Sequence, residues 1–316
     1  MATTGITTFN LDMNDLVEEA FERCGLEMRS GYDFRTARRS INLLTIEWAN
    51  RGINLWTVEQ GQIVMNTNQA IYPIPVDTID LLDTTIRQNN GSQSNQIDIN
   101  ISRISEPTYL TIPNKNTAGR PIQVWVNRQS GNIAKVPNTT IAVGYPISAT
   151  DTTITLTNAS TLPTTGFVNI TTGGVLETIG YQNIVGNQIL NAWRGQNGTT
   201  AIAHNALDEV FTNNLPCINV WPTPNSPGNQ YTFVYYRMRR MQDAGNGTAT
   251  EDIPFRFIPC MASGLAYYLS SKLPEVDMAR IGMLKAEYEQ QWDLASSEDR
   301  EKAPIRFVPR NSFYYR

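Results

Sequence analysis

The chain has 316 residues, a formal charge of −4 at neutral pH and 41% hydrophobic residues. This length is sufficient for two domains, or three, each with a core of its own. The acidic balance argues against broad neutralisation of nucleic acid, which needs clustered lysine and arginine, but it is compatible with a pore through which DNA slides. No apolar run approaches the ~20 residues that span a bilayer, and residues 1–10 lack the features of a secretory signal. We therefore expect assembly in a cytoplasm and no membrane partner.

The cysteine pattern predicts neither a metal site nor a disulfide framework. Cys24, Cys217 and Cys260 are odd in number, widely spaced and set among apolar residues. Their spacing matches neither a zinc site nor a redox CxxC motif. We expect buried, reduced thiols and no cofactor or metal.

Two amphipathic helices are predicted near the start of the chain. The first has apolar residues at helical spacing from Leu16 to Cys24, acids in its first turns and a stop signal at Gly25. The second follows Ser30 and runs to about residue 50, with Gly52 ending it. Its apolar stripe consists of Phe34, Ala37, Ile41, Leu44 and Trp48.

Three arginines of the second helix lie off its apolar stripe: Arg35, Arg38 and Arg39. They either contact a neighbouring subunit or form a solvated face. These three arginines are candidate subunit-interface residues.

A small antiparallel sheet is predicted after the two helices. Residues 63–65 and 70–75 read as a hairpin-like pair of strands around Asn66–Gln69, and alternating patterns indicate further strands at 80–87, 96–101 and 121–126.

The middle of the chain differs in composition from both ends. Between residues 130 and 215 Thr, Asn and Gly dominate, and the charged side chains there are Lys135, Asp151, Glu177, Arg194, Asp208 and Glu209. Short alternating strands separated by Gly and Asn turns predict a small all-β barrel or sandwich inserted into the rest of the fold.

The acids and the single histidine of this insert could in principle form a catalytic or metal site, but the support for either is weak. His204 has no adjacent nucleophile pattern, and His204 with Glu177 supplies too few ligands for a metal. Glu177 with Asp208 or Glu209 is conceivable as a glycosidase pair. A structural or surface histidine and ordinary surface acids are the favoured interpretation.

Two further helices close the predicted fold. A strand at 231–236 precedes one helix that starts near Pro254 and ends at Leu273–Pro274, with Ser263 and Gly264 allowing close helix approach. A final helix carries Met278 to Ala295. We predict an α+β protein. Residues 1–129 and 216–301 form a discontinuous helical domain with a sheet and a four-helix core, residues 130–215 an inserted β-domain, and residues 302–316 a tail.

The last residues form a basic aromatic tail that prolines keep from being helical. Arg306, Phe307, Arg310, Phe313, Tyr314 and Tyr315 mix cations with aromatic rings. Such a peptide binds nucleic acid or docks on a protein partner, and the overall acidity of the chain favours a protein.

Several of these segments together resemble the head-to-tail adaptor family of tailed bacteriophages, which contains tail tubular protein A and the packaged-DNA stabilisation proteins of short-tailed phages. The resemblance rests on residues 15–25, 37–48, 119–129 and 220–224 and on the final helix pair, and it covers about residues 10–129 and 216–316. Residues 193–204, within 166–210, are similar to a small β-module of phage tail and virion proteins in which these motifs form turns. Compact adaptors lack that module.

The resemblance implies a non-enzymatic virion protein without cofactors. It implies a ring, usually of twelve subunits, that binds below the portal, extends the DNA channel and carries the tail nozzle or fibres. DNA would pass without sequence-specific contact. The six tail residues named above are then the candidate portal contacts. The alternative function is a tail-associated adhesin whose β-insert binds host glycan, and a virion glycan hydrolase is a third, weaker one.

Overall fold

A computed structural model of the chain describes residues 11–52, 55–226, 228–243 and 249–300, together with Gly5 and Gly245. The chain divides into two compact units. Residues 1–57 and 241–316 form the helical unit, and residues 58–240 form the β unit. The protein is therefore α+β, with several small sheets. The predicted limits of the insert, 130 and 215, both fall inside the β unit and stay a prediction.

Five α-helices occur in the described part of the chain: α1 Met13–Cys24, α2 Gly31–Arg51, α3 Glu106–Leu110, α4 Ile258–Ser270 and α5 Met278–Glu298. All but the short α3 belong to the helical unit. The predicted helices near residues 16–24 and 31–50 and the two C-terminal helices are thus confirmed. The predicted stop signals also hold, since Gly25 caps α1 with a left-handed backbone at φ 78° and Gly52 follows the end of α2.

The second helix begins at a capping box. The side chain of Ser30 accepts a hydrogen bond from the backbone of Asp33, and the Asp33 carboxylate accepts one from the backbone of Ser30. These bonds satisfy backbone donors that the first turn of a helix leaves free. They fix where α2 starts and therefore which of its faces meets the core.

The core of the helical unit is built around α4. Nine of its thirteen residues are buried, including Gly264 and Leu265. Helices α1, α2 and α5 each pack against it, and residues of all four helices share one apolar cluster. A helix that is apolar nearly all round needs such cover on every side, because otherwise it would expose apolar surface to water.

A polar cluster centred on Arg51 holds α2 against α5. The guanidinium of Arg51 pairs with Glu47 at 2.5 Å and with Glu289 at 3.0 Å, and it lies 4.9 Å from the ring centroids of Tyr288 and Trp292. Although burial alone would lower the pKa of Arg51, the hydrogen bonds to the two glutamates raise it above its usual range. The cation therefore stays charged while it covers two aromatic rings.

Eighteen strands are found in the described residues of the β unit: β1 Val58–Met65, β2 Ile71–Pro73, β3 Thr78–Gln88, β4 Ile97–Asn100, β5 Ser102–Ile104, β6 Ala118–Gly119, β7 Gln123–Asn127, β8 Thr139–Thr140, β9 Ile154–Thr155, β10 Gly166–Thr172, β11 Val175–Tyr181, β12 Asn183–Val185, β13 Gln188–Leu190, β14 Trp193–Gln196, β15 Glu209–Asn213, β16 Cys217–Trp221, β17 Thr223–Pro224 and β18 Gly228–Arg239.

The first and last strands of the β unit are neighbours. The order of the four-stranded antiparallel sheet is β1-β18-β3-β4, with Val58 opposite Met238. A second four-stranded sheet has the order β2-β16-β7-β5, and its β5–β7 pair is parallel. The predicted hairpin of residues 63–65 and 70–75 is therefore wrong, because β1 and β2 lie in different sheets. Each finds a partner distant in sequence, and turn chemistry alone does not reveal such pairings.

Residues 139–213 form two open sheets. Their strand orders are β14-β11-β10-β15-β8 and β12-β13-β9. One apolar cluster draws on both sheets, with Ile170, Ile179 and Val210 from the first and Ile154 and Ile189 from the second. No closed barrel is formed by the described strands, so the barrel option of the prediction is wrong. The strands are short, several having only two or three residues, and a short strand offers too few backbone partners for closure.

The close contact at Gly264 yields a stability prediction. A Cβ at this position would lie 2.9 Å from side-chain atoms of both Leu44 and Tyr288. We expect Gly264→Val to lower the free energy of unfolding of the helical unit by ~1–3 kcal/mol through overpacking. Gly282→Ala is the matched control, because a Cβ at Gly282 meets open space and alanine favours a helix by up to ~1 kcal/mol. Chemical denaturation followed by circular dichroism at 222 nm measures both. Equal stability of the two variants would contradict close packing at Gly264.

Candidate functional site

The three arginines predicted to contact a neighbouring subunit lie on the solvent side of α2. Arg35, Arg38 and Arg39 are exposed, and none forms a salt bridge within the described residues. Arg35 and Arg39 bond only to Gly31 and Thr36 of their own helix. Burial and the charge of Arg39 together lower the pKa of Lys272. These three arginines are called the basic face below.

Large apolar side chains extend the basic face along α2. Tyr32, Leu43 and Ile46 are 64%, 51% and 58% exposed. With Arg35 and Arg39 they recur every three or four residues, so they line one side of the helix. A stripe of this kind on a helix whose other side is already in the core is typical of a protein–protein contact rather than of a solvated surface.

An acidic face lies on α1. Asp15, Glu18 and Glu22 are exposed and spaced three and four apart. No salt bridge to any of the three carboxylates occurs within the described residues, whereas the neighbouring Glu19 pairs with Arg23 at 2.8 Å. Like charges on one helix side repel, so this face gains stability when cations approach it.

The last helix also has a side that no described residue covers. Met283 and Leu294 are 72% and 57% exposed, and Ala279, Ala286 and Gln290 continue the same helical side. Helix α5 adjoins α1, because Arg23 pairs with Glu287 at 2.7 Å. This exposed side of α5 was not predicted from the sequence. The signal was the run of Ala, Gly and Met at positions that the core-facing Leu284 and Tyr288 do not occupy.

The predicted portal contacts lie outside the described residues. Arg306, Phe307, Arg310, Phe313, Tyr314 and Tyr315 all belong to 301–316. Their assignment stays a prediction. The three cysteines are buried and free, as expected, and burial raises the pKa of the Cys24 thiol to about 11.

Glu177, proposed as one acid of a glycosidase pair, is instead the centre of a buried polar cluster. Its carboxylate is fully buried. Arg194 binds it with two hydrogen bonds of 2.8 Å, and the backbone amides of Gly195 and Ile202 donate to it at 2.9 Å. His204 Nε2 lies 3.0 Å from the same carboxylate. All its acceptor positions are thus used within the protein, and none remains for water or a substrate.

These contacts determine the charge of Glu177. Burial alone would raise its pKa, but the hydrogen bonds from His204, Arg194 and the two backbone amides lower it to about 2. The carboxylate therefore stays ionised, and Nε2 of His204 is the donor. His204 is 1% exposed, so the histidine is buried in the protein rather than on its surface. The surface position expected for Glu177 is wrong, because this acid is fully buried.

The other proposed acids are not brought together with Glu177 as a pair. Asp208 accepts a hydrogen bond from Thr172, whose hydroxyl oxygen also lies 2.7 Å from Nδ1 of His204. The backbone amide of Asn205 donates to Asp208 at 2.8 Å. Glu209 is exposed on β15. Glu177 and Asp208 thus belong to a hydrogen-bonded chain that ties β10, β11 and the 202–208 loop together.

The motif in residues 193–204 acquires a physical explanation from this cluster. Gly195 has φ 59°, and a Cβ there would lie 3.1 Å from the carbonyl oxygen of Thr199. The hydroxyl of Thr199 accepts from the backbone of Thr178 at 2.9 Å. The motif is therefore a loop folded around one carboxylate. The feature of the sequence that indicated this pairing was the scarcity of charged residues. An arginine and a glutamate in a nearly uncharged segment are expected to form an ion pair.

The β unit also contains an open polar cleft of about 440 Å³. It lies where the turn after β1, the segment before β6 and the β12–β14 region meet. Its lining is Thr67, Asn68, Asn116, Thr152, Gln182, Asn183, Asn191, Ala192, Trp193 and Thr223. The cleft was not predicted from the sequence, because its lining combines separate segments spread over positions 67 to 223.

The chain was compared with known proteins. The family model described as SU10 adaptor protein matches residues 108–308, which is more than half of the chain. A search of curated proteins finds no match. Within the described residues, none of the helices has the length and apolarity that crossing a bilayer requires.

Removal of the charge on Glu177 should destabilise the β unit. We expect Glu177→Gln to cost ~3–5 kcal/mol, because Arg194 then remains buried without its counter-charge. In the unmodified protein this contribution is complete above the unfolded pKa of 4.5 and is lost as the pH falls towards 2. The variant should lose that part of the pH dependence. Hydrogen exchange of residues 166–213 at several pH values measures both effects.

The exposed Glu209→Gln in the same sheet is the matched control for that measurement. We expect its effect to remain within about 0.5 kcal/mol. Equal protection in the two variants would refute a structural role for the Glu177 cluster.

Proposed function

This chain belongs to the SU10 adaptor protein family, and we propose that it is a structural adaptor at the junction of head and tail in a phage virion. The family match carries this conclusion, and it points to a structural protein rather than an enzyme. The saturated carboxylate of Glu177 agrees with that, since the acid that a hydrolase would need is bound entirely by its own protein.

The adaptor acts, in this proposal, as a ring of identical subunits below the portal. Helices α1, α2, α4 and α5 would be its four-helix core, and the ring would extend the DNA channel from the portal to the tail nozzle or fibres. A net charge of −4 is compatible with a channel through which DNA slides, because an acidic wall does not attract the phosphate backbone. The segment 130–215 would be an accessory module carried by this core.

The charge distribution of the helical unit supports a head-to-tail contact between subunits. The basic face of α2, with Arg35, Arg38 and Arg39, is opposite in sign and equal in number of charges to the acidic face of α1, with Asp15, Glu18 and Glu22. Because the two faces are different surfaces of one chain, each subunit can use one face on each side. Such heterologous contacts form a ring when the rotation closes.

Apolar contact would supply most of the affinity between subunits. Leu43 and Ile46 of α2 are exposed, as are Met283 and Leu294 of α5. Burial of such side chains stabilises a contact by ~25 cal/mol per Å² of apolar surface. The charged faces would set the register and speed the encounter, which is what electrostatic complementarity contributes best.

The paired faces give a charge-reversal prediction. Arg35→Glu/Arg39→Glu makes both faces acidic, and Glu18→Arg/Glu22→Arg makes both basic. We expect each variant alone to stay monomeric, because every subunit contact then joins like charges. A mixture of the two should form rings of alternating subunits, since each acidic face meets a basic one. Mass photometry and negative-stain imaging with the portal present measure the assemblies.

The control for that experiment is the chain that carries all four reversals, which restores opposite charges and should form rings again. Glu209→Arg, a reversal in the β unit, should leave assembly unchanged. Rings formed by either double variant alone would contradict this contact but would leave the adaptor function standing.

Deletion of residues 304–316 tests the tail. We expect the truncated protein to keep its fold and its thermal unfolding midpoint but to lose binding to portal rings, because the six candidate contact residues are removed. Sedimentation with purified portal measures the binding. Arg306→Ala/Arg310→Ala separates charge from aromatic contact. Full portal binding by the truncated chain would rule out the tail as the portal-binding segment.

A further inference from the structure

The polar cleft of the β unit has an unusual lining. Ten residues surround its volume of about 440 Å³, a size within the range of about 300–1,000 Å³ typical of small-ligand sites. None of the ten is ionisable, although 17% of the chain is charged. The lining therefore offers hydrogen bonds without offering a charge.

The side-chain amides of the cleft are free within the described structure. Asn68, Asn116, Gln182, Asn183 and Asn191 form no side-chain hydrogen bond to other described residues, in contrast to the amide of Gln69 nearby. Each amide carries both a donor and an acceptor group. Five of them around one depression present both donors and acceptors to a molecule that occupies it.

The walls that carry these amides are held rigidly by other bonds. The backbone of Asn68 donates to Pro224 at 2.8 Å, and that of Ala192 donates to Thr152 at 2.8 Å. The buried side chain of Gln69 donates to Gln196 at 2.9 Å, which joins the turn after β1 to strand β14. Because the backbone is already fixed at these points, a bound ligand orders mainly the side-chain amides.

One aromatic ring completes the cleft. Trp193 is half-buried, and its indole packs against Gly180, where a Cβ would lie 3.3 Å from the ring. The indole N–H donates to no described residue. Such a ring offers an apolar face for C–H groups together with one polar edge.

From these features we infer that the cleft binds an uncharged oligosaccharide. Sugar hydroxyls are donors and acceptors at once, as are the amides of Asn68, Asn116, Gln182, Asn183 and Asn191, and the C–H face of a pyranose ring matches the Trp193 indole. The absence of lysine and arginine from the lining disfavours phosphorylated or uronate-bearing glycans. A docked peptide is less well matched, because the lining offers no deep apolar pocket for an anchoring side chain.

This site differs from a binding function carried by the 130–215 segment alone. Thr67, Asn68, Asn116 and Thr223 lie outside that segment and form part of the cleft lining. An isolated 130–215 fragment would lack this part of the lining. The inference also goes beyond the adaptor function, since ring formation and portal binding use residues of the helical unit and the tail.

The test uses the full-length protein on an array of immobilised oligosaccharides. The array carries neutral hexose and N-acetylhexosamine chains beside phosphorylated and uronate-bearing ones. We expect binding to a subset of the neutral chains. Trp193→Ala should weaken that binding at least about tenfold, which corresponds to about 1.4 kcal/mol. Asn116→Ala/Asn183→Ala should do the same without touching the packed indole.

Two further variants guard against loss of fold. Asn68→Gly removes an amide yet keeps the left-handed backbone at φ 61°, and it should also weaken binding. Asn90→Ala, in a turn away from the cleft, should bind as the unmodified protein does. Binding to anionic chains only, binding that the cleft variants leave unchanged, or an empty array with a cross-link from residue 183 to a virion protein would each overturn the inference.

Discussion

The burial of helix α4 is the constraint from which the rest of the helical unit follows. A helix apolar on nearly every side is stable only when other helices cover it, and here α1 and α2 come from the start of the chain while α5 comes from its end. The two ends must therefore meet around α4. This packing buries the inward sides of α1, α2 and α5. Their outward sides remain accessible to other molecules. The charges of those sides are opposite in sign on α1 and α2, and this opposition is the physical basis of the contact proposed between identical chains.

The β unit achieves specificity by a different device. Its central segment has few charges, and the most buried of them, Glu177, is neutralised locally by Arg194 and by backbone donors. A buried ion pair of this kind adds little net stability compared with apolar packing. Removal of one of its two partners, however, is strongly destabilising. The cluster thus selects one arrangement of short strands that apolar packing alone would leave poorly specified, because two- and three-residue strands have few backbone bonds to fix their register.

Local features were predictable from the sequence, and long-range pairings were not. The four long helices followed from periodicity, and the end of α1 and both ends of α2 followed from Gly25, Ser30 and Gly52, since caps act within a few residues. The candidate basic face on α2 followed in the same way. The hairpin of residues 63–75 failed because β1 and β2 find partners far along the chain, and the barrel failed because alternation within strands does not determine which strands pair at the edges of a sheet. The acidic face of α1 was visible in the sequence, but its meaning depended on which side of the helix the core occupies. The polar cleft required knowledge of which distant loops meet.

The pairing of β1 with β18 has a consequence for the order of events during synthesis. Val58 lies opposite Met238, so the β unit has its own two ends side by side and can complete its sheets as soon as β18 leaves the ribosome. Helices α1 and α2 emerge first but must wait for α4, about 200 residues later. At ~5–20 residues per second this delay lasts roughly 10–40 s. For that time the apolar stripe of α2 lacks the α4 surface against which it packs in the folded chain. During this period the earliest helices are therefore the most aggregation-prone part of the nascent protein. The length of the β unit determines the duration of this period.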